Sequence, residues 1–271
     1  MDNEKVKIIA EIGWNFLGDM KLAEKMITDA KNSGAHIAKF QFWSPKTLKP
    51  GAWDSDGRRE IYNKAALDNN KINKIRDICK NLSINCLFSV FTVAEAEILK
   101  SLSEDEIKIP SHEIANEPLI EYASRNFSYV YLSTGASTKE ETLKAVDILK
   151  KGDANFNLMH CVSSYPCPNN MSNLPRLNWL KTLHNEIGLS DHSQSVVSAS
   201  LAVAMGATVI EKHFTSDNNL EGRDNKFALA PESFSKMVDF INEASDLIID
   251  KGLDFQESER DTVENYRGRW G

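Results

Sequence analysis

Apolar residues recur along the chain in two alternating patterns. Short apolar runs that are typical of buried strands are followed by longer segments with apolar residues at helical spacing. The first pair is a strand at residues 6–12 and a helix at residues 19–32, in which Leu22, Met26 and Ile27 share one face. Further strands are predicted at residues 37–42, 84–90, 107–109, 129–132 and 157–161, and near Gly188 and Val209. This alternation predicts a parallel sheet with helical crossovers.

About eight strand–helix units fit the 271 residues. The remaining helices are predicted at residues 71–82, 93–102, 116–125, 137–151, 196–205 and 232–249, with a connection at 174–184. The series predicts an α/β fold, a (β/α)8 TIM barrel formed by residues 1–252 as a single domain, followed by a polar tail at 253–271. A doubly wound open sheet is the alternative. The barrel is favoured because polar residues follow nearly every strand, whereas an open sheet concentrates its site at one switch point.

One connection is unusually long. Residues 43–70 separate the second strand from the next helix and include Pro45, Pro50, Gly51 and Gly57. A loop of this length is often a lid or a recognition insert, and we expect one of these roles here.

The composition indicates which binding partners and which cellular compartment to expect. The net charge of −7 and the absence of a basic stripe argue against a nucleic-acid partner. No apolar run is long enough to span a membrane, and the charged segment at residues 1–7 lacks a signal-peptide core. The four cysteines form no C-x-x-C pair, and Cys86 and Cys161 are expected to be buried free thiols. We therefore expect a reducing, cytoplasmic setting.

Two histidines close successive predicted strands near the end of the series. His192 and His213 would lie at the same edge of a parallel sheet, and imidazole is a common ligand of divalent metals. Because the two histidines lie at adjacent strand ends, a metal site is as well supported as the alternative of two hydrogen-bonded core histidines. Glu211 shares the face of His213 and is interpreted either as a further ligand or as an ion-pair partner of Lys39.

Other strand ends carry ionisable and hydroxyl groups. Glu11 interrupts the first apolar run, and Lys39 and Gln41 lie two residues apart on one face of the second strand. A buried inward lysine is costly unless it binds an anion or a carboxylate. Ser133 follows a strand in a Ser-Thr-Gly turn, which beside Lys39 and Lys108 suggests an anion pocket. A plain turn remains the alternative.

Taken together, these strand-end segments resemble the sialic acid synthase family, the phosphoenolpyruvate-dependent nonulosonate synthases. The matching stretches occur in family order and are residues 8–13, 38–41, 108–114, 132–135, 160–166, 188–192 and 206–214. No single stretch is decisive, but seven in register identify the chain as a member. The resemblance covers residues 8 to about 237.

The resemblance implies a barrel that condenses phosphoenolpyruvate with the open-chain aldehyde of an amino sugar, of the N-acetylmannosamine or 2,4-diacetamido hexose type. The products would be a nonulosonic 2-keto acid and phosphate. His192 and His213 match the metal ligands, for Mn2+ or alternatively Mg2+ or Co2+, and with Glu11 and Glu113 they are the expected catalytic residues. The expected phosphoenolpyruvate-binding residues are Lys39, Ser89, Lys108, Ser111, Ser133, Ser163 and Ser190. The expected sugar-binding residues are Gln41, Glu113, Tyr165 and Asp224.

The chain departs from the family pattern at several positions. Val90 stands where a hydroxyl is usual, so that contact is expected to be lost or moved to Thr92. Ser163 stands where some members have Asn, and His112 where Gly is frequent. The chain also stops where a small antifreeze-like domain usually begins. In the family, that domain supplies an arginine to the site. We expect Arg267 and Arg269, or a separate protein, to take its place. A homodimer is also expected.

Two other functions remain open from the sequence. One is a synthase that condenses phosphoenolpyruvate with a phosphorylated sugar, for which Arg58, Arg59 and Arg223 would form the additional phosphate clamp. The other is a non-catalytic barrel that binds a sugar or a protein partner. Val90 and the absent domain favour the second alternative, whereas the retained Glu11 opposes it.

Overall fold

Eight parallel strands pair in chain order and close into a barrel, with the eighth strand hydrogen-bonded to the first. This computed structural model describes residues 6–270, so most of the charged segment at residues 1–7 lies outside the described part. The strands are β1 (Lys7–Gly13), β2 (Ile37–Gln41), β3 (Asn85–Ser89), β4 (Glu106–Ile109), β5 (Tyr129–Ser133), β6 (Asn155–His160), β7 (Ile187–Asp191) and β8 (Ala207–His213). The barrel prediction is confirmed, and the open-sheet alternative is wrong.

The helices surround the barrel. They are α1 (Met20–Asn32), α2 (Arg58–Ala65), α3 (Asn69–Asn81), α4 (Val93–Ser101), α5 (Glu117–Asn126), α6 (Lys139–Lys151), α7 (Arg176–Leu183), α8 (Ser198–Ala204), α9 (Pro231–Leu247) and α10 (Arg260–Asn265). The capped start expected for the sixth helix is present, because Thr138 and Glu141 form a reciprocal capping box. None of the helices in residues 6–270 has the length and apolar character needed to cross a membrane.

The core has two layers. A large outer cluster, which includes Ile8, Ala10 and Ile12, packs between the strands and the helices. A smaller inner cluster fills the barrel and consists of Ile9, Ile37, Leu87, Tyr131, Met159 and Val209. Side chains alternate along a strand, so the residues two positions further on also point inward. Those residues are Glu11, Lys39, Ser89, Ser133, Cys161 and Glu211, and all of them line one cavity above the inner cluster.

Two segments differ from the expectation. The long connection at residues 43–70 is not a plain loop, because it contains α2 and two short 3-10 turns, Pro45–Thr47 and Ala52–Asp54. The polar tail carries the short exposed helix α10. We call residues 43–70 the β2 insert.

Candidate active site

A cavity of about 770 Å³ opens at the carboxyl ends of the strands, between the barrel and the β2 insert. Every residue predicted from the sequence to form the site lines it, with the exception of Ser163. These are Glu11, Lys39, Gln41, Ser89, Lys108, Ser111, Glu113, Ser133, Tyr165, Ser190, His192, His213 and Asp224. Ser163 is exposed, with its Oγ 2.7 Å from Ser111 Oγ.

The floor of the cavity is a buried cluster of two lysines and two glutamates. Lys39 Nζ lies 2.8 Å from Glu11 Oε2 and 3.6 Å from Glu211 Oε1. Lys108 Nζ donates to Glu211 Oε2 at 3.0 Å. Of the two roles considered for Glu211, the structure thus places it as an ion-pair partner, and it serves both lysines. Opposite charges offset the cost of burying these groups.

Burial and mutual charge set the protonation of this cluster. Burial would raise the pKa of Glu211, but the positive charges of Lys108 and Lys39 lower it to about 2. Burial raises the pKa of Glu11, against the charge of Lys39. The pKa of Lys39 is raised because its two carboxylate neighbours outweigh burial. Burial lowers the pKa of Lys108, which among the described residues pairs with Glu211 alone. Both lysines therefore lie where they can attract an anion into the cavity.

Glu11 is held in place from two sides. Its Oε1 accepts a hydrogen bond from Gln41 Nε2 at 2.7 Å, and its Oε2 faces Lys39. Gly13 follows at the end of β1 with a φ of +56°, and a Cβ there would lie 3.1 Å from Glu11 Oε1. This backbone region favours glycine, and a Cβ at this distance would be a tight contact that requires Glu11 to shift by a few tenths of an ångström.

Serine hydroxyls surround the lysines. Ser190 Oγ donates to Glu211 Oε1 at 3.0 Å, and Ser89 Oγ donates to the Phe40 carbonyl oxygen at 3.3 Å. The hydroxyl of Ser133 is buried and has no hydrogen-bond partner among the described residues. A buried hydroxyl without a partner is costly, so Ser133 is suited to a ligand oxygen that would enter the cavity.

The two histidine rings lie next to each other in an edge-to-face contact, with centroids 5.4 Å apart. His192 Nδ1 lies 2.8 Å from the carbonyl oxygen of Val162, so Nδ1 carries the proton and Nε2 keeps its lone pair. His213 Nδ1 is buried without a hydrogen-bond partner and lies 3.9 Å from Asp224 Oδ2. Burial lowers the pKa of both histidines to about 4, so both rings are neutral at pH 7.

Neutral imidazoles with fixed orientation are suited to bind a divalent metal. Within residues 6–270 no group of three or more His, Cys, Asp or Glu side chains is arranged as a complete metal site. His192 and His213 therefore fit a metal as a partial ligand set, to which water or substrate would have to add the remaining donors.

The remaining predicted residues form the outer part of the cavity. The Tyr165 ring lies 4.2 Å from the His192 ring, measured between centroids. Glu113 Oε2 accepts a hydrogen bond from Asn116 Nδ2 at 2.8 Å, and burial raises its pKa. Asp224 is buried beside His213. These carboxylates and the phenol present polar atoms to a ligand larger than a simple anion.

The β2 insert forms one wall of the cavity. Its lining residues are Trp43, Ser44, Thr47, Leu48, Lys49, Arg58 and Tyr62. The start of the insert is fixed by Glu95. Its carboxylate accepts hydrogen bonds from the backbone N–H groups of Ser44, Phe91 and Thr92. The expectation of a recognition role is consistent with this placement, since the insert contacts the same space as the strand ends.

The other residues noted in the sequence lie either in the core or at the cavity. Val90 belongs to the apolar core, whereas Thr92 and His112 line the cavity. His160 is buried, with Nε2 2.7 Å from the Ser172 carbonyl oxygen. Cys161 is buried as expected but lines the cavity, and Cys86 is half-buried.

Of the arginines considered for a phosphate clamp, Arg58 and Arg223 line the cavity. Arg59 is instead bonded to Asp54 and to the Pro45 carbonyl oxygen. Arg267 and Arg269 are exposed in the tail and are not among the lining residues.

Trp14, Asp191 and Lys212 are among the residues at the site that were not predicted from the sequence. Trp14 lines the cavity directly after Gly13, and its only signal was its position after a strand end. Asp191 and Lys212 form a buried ion pair next to the two histidines. Each lies one residue before a candidate ligand, which is the signal that could have identified them.

Comparison with known proteins gives a consistent result. A family model described as the NeuB family matches residues 26–252. Pseudaminic acid synthase of Campylobacter jejuni is 34% identical over 268 residues, which cover 94% of this chain and 78% of that protein. N,N'-diacetyllegionaminic acid synthase of the same organism is 34% identical over 256 residues, covering 89% and 76%. The solved structure of N-acetylneuraminic acid (sialic acid) synthetase from Leptospira borgpetersenii has a TM-score of 0.88 and 32% identity, covering 97% of this chain and 91% of that chain.

These similarities extend over most of the barrel, from the strands to the loops that form the cavity. The relatives are synthases of sialic-acid-like sugars, and the resemblance inferred from the strand-end segments is confirmed. The chain belongs to the NeuB family.

Proposed function

We propose that this protein condenses phosphoenolpyruvate with the open-chain aldehyde of an amino sugar, giving a nonulosonic 2-keto acid and phosphate. The observation that carries the proposal is that two neutral imidazoles and two buried lysines face one cavity. The lysines are suited to an anionic substrate and the imidazoles to a metal. The names of the relatives, which are synthases of pseudaminic and legionaminic acids, support the same reaction class.

In this proposal, phosphoenolpyruvate binds at the cavity floor. The charges of Lys39 and Lys108 stabilise its phosphate and carboxylate, and hydrogen bonds to charged oxygens are stronger than neutral ones. Ser133 donates its unpaired hydroxyl to the same ligand. Ser111 contributes a second hydroxyl, which Ser163 orients through their 2.7 Å contact.

The sugar then occupies the outer part of the cavity. Gln41, Glu113, Tyr165 and Asp224 surround that space and bind its hydroxyl and amide groups. His192 and His213 would hold a divalent metal, Mn2+ or alternatively Mg2+ or Co2+, which when bound polarises the aldehyde oxygen as a Lewis acid. Holding both substrates in one cavity makes the bond-forming step effectively intramolecular.

The bond forms between C3 of phosphoenolpyruvate and the aldehyde carbon, whose oxygen takes the electron pair and becomes a hydroxyl. Positive charge is left at C2, water adds there, and the C2–O bond to phosphate breaks. One proton of water ends on the new hydroxyl and the other leaves with phosphate. Glu11 lies where it can stabilise the charge at C2 or accept the proton of the water.

The test is phosphate release from phosphoenolpyruvate with Mn2+ and a panel of sugars. The panel contains N-acetylmannosamine, a 2,4-diacetamido hexose and a phosphorylated hexosamine, because Arg58 and Arg223 line the cavity and could hold a second phosphate. We expect release that depends on one sugar and is lost in His213→Ala. A matched control is His184→Ala, since His184 bonds the Phe156 carbonyl oxygen away from the cavity.

Each outcome decides the proposal. Sugar-dependent release that is lost in His213→Ala and kept in His184→Ala supports it. Phosphate release only with the phosphorylated sugar would support the same condensation but show that the second substrate is a phosphorylated sugar. Absence of release with every sugar would overturn the proposal and favour a barrel that binds without catalysis.

A further inference from the structure

A hydrogen bond at the cavity links the loop after β1 to the turn after β8. Trp14 Nε1 donates to Asp224 Oδ2 at 2.5 Å, although the two residues are 210 positions apart. Trp14 follows β1, and Asp224 begins the short 3-10 turn Asp224–Lys226 after β8. Both residues line the cavity, and β1 and β8 are paired neighbours in the barrel.

The oxygen that accepts this bond also faces the candidate metal ligand. Asp224 Oδ2 lies 3.9 Å from His213 Nδ1. Among the described residues Oδ1 of Asp224 has no hydrogen-bond donor, so it is the oxygen that remains for a substrate. The indole N–H therefore fixes which carboxylate oxygen points at the histidine and which is left for a ligand.

The indole is itself held by the β2 insert. The Trp14 ring stacks on the ring of Tyr62 in α2, with centroids 4.5 Å apart and planes 11° apart. Trp43 packs edge-on against both rings, at 5.9 Å from Trp14 and 4.8 Å from Tyr62. A ring that is packed on one side and hydrogen-bonded at its edge has little freedom to move.

The backbone around Asp224 has separate anchors. Asn225 Nδ2 donates to the Asn15 carbonyl oxygen at 3.1 Å, and Asn225 Oδ1 accepts from Thr215 Oγ1 at 2.6 Å. These bonds hold the turn after β8 without involving Trp14. The effect of the indole on this turn is therefore confined to the side chain of Asp224, so a role in orienting Asp224 can be tested separately from the folding of the turn.

We propose that Trp14 is a positioning residue that orients Asp224 for the sugar. Through its ring contacts with the β2 insert, Trp14 also couples the orientation of Asp224 to the position of that insert. This inference rests on the proposed function, in which Asp224 binds the sugar. Among the described residues the indole N–H of Trp14 donates to Asp224 and not to a group of the phosphoenolpyruvate region, so its loss is expected to act on the sugar and not on phosphoenolpyruvate.

The kinetic test uses Trp14→Phe, Asp224→Asn and the double variant. Phenylalanine keeps a ring to stack on Tyr62 but has no N–H to donate. We expect kcat/KM for the sugar to fall about tenfold to a hundredfold in Trp14→Phe, as for loss of a hydrogen bond to a charged group. KM for phosphoenolpyruvate stays within about twofold, and the double variant is little worse than Asp224→Asn. Trp179→Phe is the matched control, because Trp179 lies on α7 and does not line the cavity, and it is expected to leave both KM values unchanged.

A second readout does not depend on activity. The chain has five tryptophans, so its proton–nitrogen spectrum contains five indole signals. The signal that disappears in Trp14→Phe is expected downfield of the others and to move upfield in Asp224→Asn, because a short bond to a carboxylate deshields the proton. It stays in place in Trp179→Phe, because Trp179 lies on α7 and does not line the cavity.

The inference is overturned if the Trp14 signal does not respond to Asp224→Asn, or if the two substitutions act additively on kcat/KM for the sugar. Equal rises of both KM values would also contradict it, since they indicate general disturbance of the cavity. Failure of the proposed function is a different result, namely no phosphate release by the unaltered protein with any sugar. In that case the indole spectrum alone decides whether Trp14 orients Asp224.

Discussion

The carboxylate of Asp191 lies 2.6 Å from the ammonium nitrogen of Lys212, and both side chains are buried. Asp191 immediately precedes His192, and Lys212 immediately precedes His213. Because side chains alternate along a strand, the ion pair lies behind the strands while the histidines point into the cavity. The hydroxyl of Ser198 at the start of α8 also donates to Asp191. The pair thus joins the ends of β7 and β8 behind the candidate metal ligands.

The first prediction concerns this ion pair. Lys212→Met leaves the carboxylate of Asp191 buried without a cation, and we expect the free energy of unfolding to fall by about 3–5 kcal/mol. The double variant with Asp191→Asn is expected to recover part of the loss, because no unpaired charge remains. Urea denaturation followed by circular dichroism measures both values.

A surface pair provides the control. Lys144 lies 2.6 Å from Glu117, but its side chain is 64% exposed. Lys144→Met is expected to change stability little, because exposed pairs are screened by water. If Lys212→Met were equally mild, the buried pair would contribute no more than a surface pair and would not hold the two strand ends.

The second prediction concerns Glu11, whose carboxylate contacts Gln41 at 2.7 Å and Lys39 at 2.8 Å. Glu11→Gln keeps the shape of the side chain but removes its charge and its ability to accept a proton. We expect kcat to fall by about 10²–10⁴, with a smaller change in KM for phosphoenolpyruvate. Single-turnover phosphate release separates this effect from slow product release.

Glu24→Gln is the matched control, because Glu24 is exposed on α1 and lies outside the cavity. It is expected to keep the activity of the unaltered protein. Full activity of Glu11→Gln would exclude both roles assigned to Glu11, stabilising charge at C2 and accepting the proton of the water.

The barrel could be predicted from the sequence because its strands repeat one pattern. An apolar residue that fills the barrel is followed two positions later by a residue of the cavity, as in Ile9 and Glu11 or Ile37 and Lys39. Helix α2 was not predicted, because half of its eight residues are charged and only Tyr62 and Ala65 are buried. Its position depends on contacts with distant parts of the chain, which periodicity does not encode.

The site was predicted less completely than the fold. Strand ends in a parallel barrel converge, so Lys39, His192 and His213 could be placed together from sequence order alone. Which groups pair could not be predicted, because pairing depends on distances of a few ångströms between strands. Trp14 and Asp224 illustrate the limit, since neither lies in a periodic segment and their contact joins positions 210 residues apart.

The third prediction concerns Gly13, which ends β1 next to the carboxylate of Glu11. Its φ is +56°, and a Cβ there would lie 3.1 Å from Glu11 Oε1 and 3.3 Å from Gln41 Nε2. Gly13→Ala is therefore expected to cost about 1–2 kcal/mol of stability through the backbone and to displace Glu11. We expect kcat to fall at least about tenfold, since small misplacements of reacting groups are costly.

Gly252→Ala separates these two effects. Gly252 also has a positive φ, +84°, but a Cβ there would meet nothing within 4 Å. Backbone strain without a steric contact should lower the melting temperature in this variant and leave kcat unchanged. If Gly13→Ala lost stability to a similar extent and kept its kcat, the close packing of Gly13 against Glu11 would not control the position of the carboxylate.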